Sequence, residues 1–521
     1  MKKILNIYWK NYWVYLVICL VSLIYYSITP LTFFSDSLTY LDFAQFYRSG
    51  ALAKFETSIS SGYPLIICLC YFLSDNPISL LVGIQSLSAL ALTIMCYNLA
   101  KNIHPYFALL FTGITFILLI PFAYSKAILT EQFYIFFLFS MFYLCFLIIS
   151  KNKKNLVFFI PLLSLFLVQI RPAGMLFPFL VLMFLILWNR HRDKAFSWKI
   201  IFNILIYVGL TFSFNFILNN YFHNQNLEKN TQFGKQIFLH AYLSSGLEDE
   251  TTPKIQENFG ANSREFLTHL RDIVFDKKMF PEKRYFNSKH KVESQFYLPY
   301  ESNPQLLLEK MINSPVRCYW STIIGGLNDK IGGRKSNNLL IGVSIEIIKN
   351  NPYLLFKWVL KNAYIYTFGL NANYKSKIEY KSRFAKTRPY LASFFQHPSL
   401  DYLTQFTIEQ IDKIISHNPS TRVQYFLEFY ALLIWPKAFI LLHFTFFMCG
   451  LFGLFLIKDS YYPIILLGNL ICLSHALVIV AIGVPIVRYN THTYLIELFV
   501  GLLVVWRINP LLKIKNLIRK N

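Results

Sequence analysis

A few short stretches carry charged residues next to long apolar runs. Asp36 lies in Phe34-Ser35-Asp36-Ser37-Leu38-Thr39-Tyr40-Leu41-Asp42, Glu131 in Leu129-Thr130-Glu131-Gln132 and Arg171 in Arg171-Pro172; Arg488 is followed by Tyr489, and Lys126 lies just ahead of Glu131. Ionisable groups are costly at the edge of an apolar run, which makes each a functional candidate. On a helix Asp36 and Tyr40 are i,i+4 and share a face, while Asp42 turns away. A carboxylate can take the proton of an attacking hydroxyl. Arg and Lys can hold a leaving phosphate and stabilise its growing charge. Together these types fit group transfer from a phosphate-bearing donor to a hydroxyl.

Each residue also has a plainer reading. Asp36 has the alternative reading of a helix cap or solvated loop acid. Glu131 reads as a first-turn acid favoured by the helix dipole. Arg171 and Arg488 read as anchors on lipid phosphate, and Lys126 as a snorkelling lysine. Glu497, inside the last apolar run, reads as a structural acid or a functional one. The histidines show no ligand spacing and read as surface or core residues. No HExxH, GxSxG or Walker-type loop occurs.

The elements that must position these residues are set by hydropathy. Of 521 residues 55% are hydrophobic, 18% aromatic and only 15% charged, with mean hydropathy +0.42. The apolar residues fall in runs of about 18 to 25, long enough to cross a hydrocarbon core. Spans are expected at 12–30, 79–100, 105–122, 130–149, 155–170, 172–189, 198–219, 433–457, 461–483 and 490–508. The fold class expected is an all-α polytopic membrane protein of about ten transmembrane helices. The apolar run after Met1-Lys2-Lys3 lacks a small-x-small cleavage site and reads as a retained span. Lys2, Lys3, Lys10, Lys101, Lys151, Lys153, Lys154, Arg190, Arg192, Lys194, Lys199, Lys458 and the basic tail from Arg507 would then share one side. The other side would hold few basic residues in its short loops, which places both termini in the cytoplasm.

The division expected is an N-terminal membrane module (1–219), an extracytoplasmic, mostly helical domain (220–432) and a C-terminal membrane module with a basic tail (433–521). Within the first outer loop (31–78), the apolar stretch from Pro64 to Leu73 is too short to span and reads as a surface helix. Within 220–432, the stretch 352–370 reads as an interfacial helix, with an eleventh span as the alternative. The glycines from Gly325 to Gly333 read as a mobile loop. Cys318 is the lone cysteine of this domain, so no disulfide can form within it. The net charge of +23 would favour nucleic acid in a soluble protein. Here the lysines mark loops and touch anionic lipid, no nucleic-acid-binding signature is present, and no nucleic-acid partner is expected. The Lys-rich, Asn-rich composition without an acceptor Asn-x-Ser/Thr sequon points to a bacterial inner membrane.

The order and membrane side of these motifs resemble the GT-C superfamily of polyprenol-phosphate-sugar-dependent glycosyltransferases. The branch is that of bacterial enzymes related to protein O-mannosyltransferases and lipid A aminoarabinose transferases. The matching residues are Asp36 to Ala44, Gly62-Tyr63-Pro64-Leu65, Leu129-Thr130-Glu131, Arg171-Pro172 and Arg488-Tyr489. The likeness covers 1–220 well and 430–510 loosely. It implies Asp36 as base, Glu131 as acidic partner, and inversion at the anomeric carbon. Tyr40, Asp42, Lys126, Arg171, Arg488 and Tyr489 are the expected substrate-binding residues. The implied partners are a polyprenyl-phosphate-linked sugar, membrane lipid and a glycan, lipid or protein acceptor. No cofactor is required by the residues, no metal ligand is assigned, and a divalent metal stays open because the superfamily varies. Two features depart from the family: Ser37 follows Asp36 where a second acid is usual, and the large outer domain lies between spans seven and eight. The competing functions are a lipid-linked glycan flippase or transporter, and a glycan polymerase or ligase.

Overall fold

A computed structural model describes residues 2–28, 62–122, 124–171, 174, 176–193, 257–275, 330–353, 435–481 and 487–508, with isolated positions in 37–48, 202–213, 327–328 and 356–360. Twelve of the described α-helices are followed here: α1 (Lys2–Ile28), α2 (Gly62–Leu73), α3 (Pro77–Lys101), α4 (Pro105–Ile117), α5 (Glu131–Lys151), α6 (Ile160–Ile170), α7 (Leu176–Asp193), α8 (Ala261–Phe275), α9 (Gly333–Asn350), α10 (Trp435–Leu456), α11 (Tyr462–Ala481) and α12 (Val487–Ile508). No β-strand occurs among the described residues.

The helix boundaries follow local chemistry. Asn76 caps α3, its side-chain oxygen accepting from the Ser79 N–H at 3.2 Å, and Pro77 opens the first turn. His104 does the same for α4 through Nδ1 and the Tyr106 N–H, with Pro105 behind it. The run expected over 105–122 stops being α-helical at Ile117. Leu119 sits at φ 52°, and Ile120–Phe122, containing Pro121, form a 3-10 turn. α5 carries Glu131 in its first turn, Lys151 in its last and Asn152 in the left-handed conformation beyond it, so each charge complements the helix dipole.

α5 is the central post of the bundle, packed against α3, α6, α11 and α12. Phe107 and Phe111 of α4, Phe142 and Phe146 of α5 and Phe499 of α12 interlock, with ring centroids 5.5 to 6.3 Å apart across the contacts to Phe499. α10 and α12 approach closely where side chains are missing: a Cβ on Gly501 would lie 2.7 Å from the backbone oxygen of Phe446.

Among the described residues, two helices, α3 and α5, are long and apolar enough to cross a membrane. The core is mostly apolar, but large apolar side chains also face outward and several polar ones are buried. Leu16, Leu69, Phe72, Leu87, Ile117 and Phe455 are exposed, while Gln85, Glu131, His443, Asn469, His492 and Glu497 are buried.

The two ends of the bundle differ. At one, Lys101 lies over the rings of Tyr15 and Tyr97, His104 packs on Trp506 and Arg507 pairs with Asp459. The start of α5, the end of α6 and the start of α12 meet at the other end, through Glu131, Arg171 and His492.

Within 220–432, α8 packs against α9. Glu346 of α9 accepts from the backbone N–H groups and side chains of Asn262 and Ser263 at 2.6 to 3.1 Å, thereby capping the open N-terminus of α8. Burial works to raise the Glu346 carboxyl, but these four hydrogen bonds outweigh it and hold the group below its usual range. The glycine-rich stretch is not a loop throughout. Gly332 supplies φ 83° at the entrance of α9, and Gly333 is already helical. Of 352–370, the described Tyr353, Phe356 and Leu360 are exposed.

Candidate functional site

Glu131 is the first residue of α5 and is 1% exposed. Its position at the helix N-terminus favours its negative charge, and the Thr130 hydroxyl lies 3.4 Å from Oε2. Arg171 closes α6 with extended backbone (φ −150°), its N–H donating to the Leu167 carbonyl. The chain then turns at once: the Gly174 N–H donates to the Arg171 carbonyl at 2.9 Å. A Cβ on Gly174 would stand 2.9 Å from the Leu167 oxygen, so only glycine fits this turn without a shift. Arg171 NH1 thus reaches to 3.3 Å from Glu131 Oε1 and 3.0 Å from His492 Nε2.

His492 extends the cluster inward. Its ring centroid lies 4.6 Å from that of Tyr134 and 5.2 Å from that of His475, and His475 packs on Phe177. Tyr134 follows Glu131 at i,i+3, so both face the same neighbours. The Tyr134 hydroxyl and both amide atoms of Gln132 are buried with no hydrogen-bond partner among the described residues. Unpaired buried polar atoms are costly, so hydrogen-bonding capacity is held in reserve beside the ion pair.

A second set of contacts ties Ser37, Tyr40 and Tyr63 to this end. Tyr63, at the start of α2, donates to Gln85 Oε1 at 3.3 Å, and Gln85 Nε2 donates to the Ala127 carbonyl at 2.7 Å. The loop leading into Glu131 is pinned in this way. Ser37 donates to the Ile128 carbonyl at 2.7 Å, and Tyr40 packs edge-on against Tyr63 at 5.0 Å. Burial raises the Tyr63 hydroxyl well above its usual range, aided by Tyr40 and by the nearby Glu131 carboxylate. α2 can approach α6 because residue 62 is glycine: a Cβ there would meet the Gln169 backbone at 2.7 Å.

Of the candidate residues, Glu131 and Arg171 are therefore in contact, and Tyr40 is near them through Tyr63. Lys126 is held elsewhere, its ammonium 3.6 Å above the ring of Tyr26, and burial pushes it down to about 8. Arg488 and Tyr489 lie in the first turn of α12. Arg488 precedes His492 by four and so occupies the same helix face. Asp36 and Asp42 lie outside the described residues, as does Cys318.

The histidines were missed by sequence reasoning. The available signal was the i,i+4 spacing of His492 from Arg488. A second buried group also emerges: Glu497 accepts from Thr493 at 2.8 Å and stands 2.5 Å from His443 Nδ1 of α10. Among the described residues no three His, Cys, Asp or Glu side chains are grouped to hold a metal ion. Comparison with protein-family profiles, with curated proteins and with solved structures finds no match.

Proposed function

We propose that this chain is a multi-pass membrane glycosyltransferase that moves a sugar from a polyprenyl-phosphate donor to an acceptor hydroxyl, with inversion. The single observation carrying this reading is the buried Glu131–Arg171 contact at one end of an apolar bundle. A permanent cation half-buried among helix ends suits an anionic group that arrives from the lipid. In the reaction Asp36 takes the proton of the acceptor hydroxyl, whose oxygen forms a bond to the anomeric carbon. The bond from that carbon to the phosphate oxygen breaks, and the phosphate leaves on its lipid with Arg171 offsetting its charge. Glu131 orients Arg171, and Ser37 is tied to the Ile128 carbonyl in the loop leading into Glu131.

The setting of this reaction is a bacterial inner membrane crossed about ten times, with cytoplasmic termini and residues 220–432 outside. The test of function is transfer by purified protein in lipid from a polyprenyl-phosphate sugar, with donor affinity measured separately. Arg171→Ala should weaken donor use, and unchanged affinity would remove the phosphate assignment. Topology is tested by an impermeant thiol reagent on a variant retaining only Cys318. Labelling only after the inner membrane is permeabilised would invert the assignment.

One observation favours a second reading. The His443–Glu497 pair lies inside two apolar helices, and a carboxylate with a proton-exchanging partner at such a place is a feature of proton-coupled transporters.

A further inference from the structure

The third member of the Glu131–Arg171 pair has its protonation set by geometry. A guanidinium has only N–H donors and accepts nothing. With Arg171 NH1 at 3.0 Å, His492 Nε2 must be the acceptor. The imidazole is therefore neutral, its proton on Nδ1. The same NH1 faces Glu131 Oε1 at 3.3 Å.

His492 is itself firmly held. It is 3% exposed and packed between Tyr134 and His475, with ring centroids at 4.6 and 5.2 Å. A rigid ring on α12 thus aims an arginine at the end of α6 toward a carboxylate at the start of α5.

We propose that His492 is a positioning residue, a neutral acceptor that holds the Arg171 guanidinium in the orientation that receives a donor phosphate. The proposal rests on the glycosyl-transfer reading for its substrate, but the coupling of His492 to Arg171 does not. Without the acceptor, Arg171 would lose the hydrogen bond that ties its NH1 to α12.

The experiment compares wild type, His492→Ala and His492→Gln in lipid nanodiscs, using a polyprenyl-phosphate sugar for transfer and polyprenyl phosphate alone for binding. His492→Ala should raise the donor KM about tenfold, the size of one lost charge-assisted hydrogen bond, and change kcat much less. His492→Gln should recover most of this loss, because its amide oxygen can accept from Arg171. A KM at the wild-type level in His492→Ala, or no recovery in His492→Gln, overturns the proposal. If His492→Ala does not fold, His492→Phe keeps the ring packing, removes the acceptor and takes its place. If the wild type neither transfers the sugar nor binds polyprenyl phosphate, the glycosyl-transfer reading falls. The coupling is then decided by thermal midpoints of His492→Ala, Arg171→Gln and the double variant. Additive shifts overturn it, and non-additive shifts uphold it.

Discussion

Glu131 and Glu497 are both almost fully buried, and each has a basic partner within reach, but the two sites are built from different parts. Glu131 stands at a helix terminus and pairs with Arg171 at another terminus, where Arg171 remains 15% exposed. A loop pinned by Gln85 leads into it. Glu497 lies inside α12, one turn after Thr493, and pairs with His443 inside α10, with both partners sealed. An arginine cannot give up its charge, so this site keeps a cation and needs helix ends and polar neighbours to tolerate it. A histidine can exchange a proton with a carboxylate and leave a neutral pair. The comparison teaches that burial alone does not mark a binding site. The partner's chemistry and its place on a helix end separate a site that can hold an anion from one that locks two helices.

The largest effect should come from breaking the ionic pair. Arg171→Gln removes this cation from the buried Glu131 and should cost about 3–5 kcal/mol in stability, read as a lowered unfolding midpoint, together with loss of donor binding. Full stability in this variant would mean that the pair is already solvated.

A smaller effect is expected at the second site. Glu497→Gln keeps the contact with Thr493 and alters only the bond to His443. It should cost about 1–3 kcal/mol and leave the donor KM unchanged. A changed KM in Glu497→Gln would erase the contrast between the two acids and favour a transport role for the inner one.

A third effect concerns Lys126, which is near Glu131 in sequence but held by Tyr26. Its ammonium is lowered to about 8 in the folded protein by burial, from an ordinary 10.5. Between those values the unfolded chain binds the proton more readily than the folded one, so stability should rise with pH from about 8 to about 10.5. Subtracting the curve of Lys126→Met from that of the wild type should isolate this rise. A flat difference would place Lys126 in water.

Much of the helical outline could be read from the chain. The run that begins at Asn76-Pro77 and ends at Lys101 carries its own cap and its own dipole partner, and Glu131 and Lys151 mark the two ends of α5 in the same way. That Glu131 and Arg171 fall at one end follows from alternating apolar runs alone. The contact of either with His492 does not follow, since it joins residues 321 positions apart and depends on how α12 packs against α5. Hydropathy averaged over a run also passed over the left-handed Leu119, which ends α4 early, and over Gly332, whose positive φ opens a helix where the glycines read as a loop. Both are single-residue backbone choices that a window average cannot register.

The central claim is tested most directly by sugar transfer from a polyprenyl-phosphate donor, comparing wild type with Asp36→Asn in lipid and measuring donor binding on both. The account predicts transfer by the wild type. It predicts turnover lowered by about 10² to 10⁴ in Asp36→Asn, the usual cost of removing a general base, with donor binding retained. Near wild-type turnover by Asp36→Asn, or no transfer by the wild type, would contradict it.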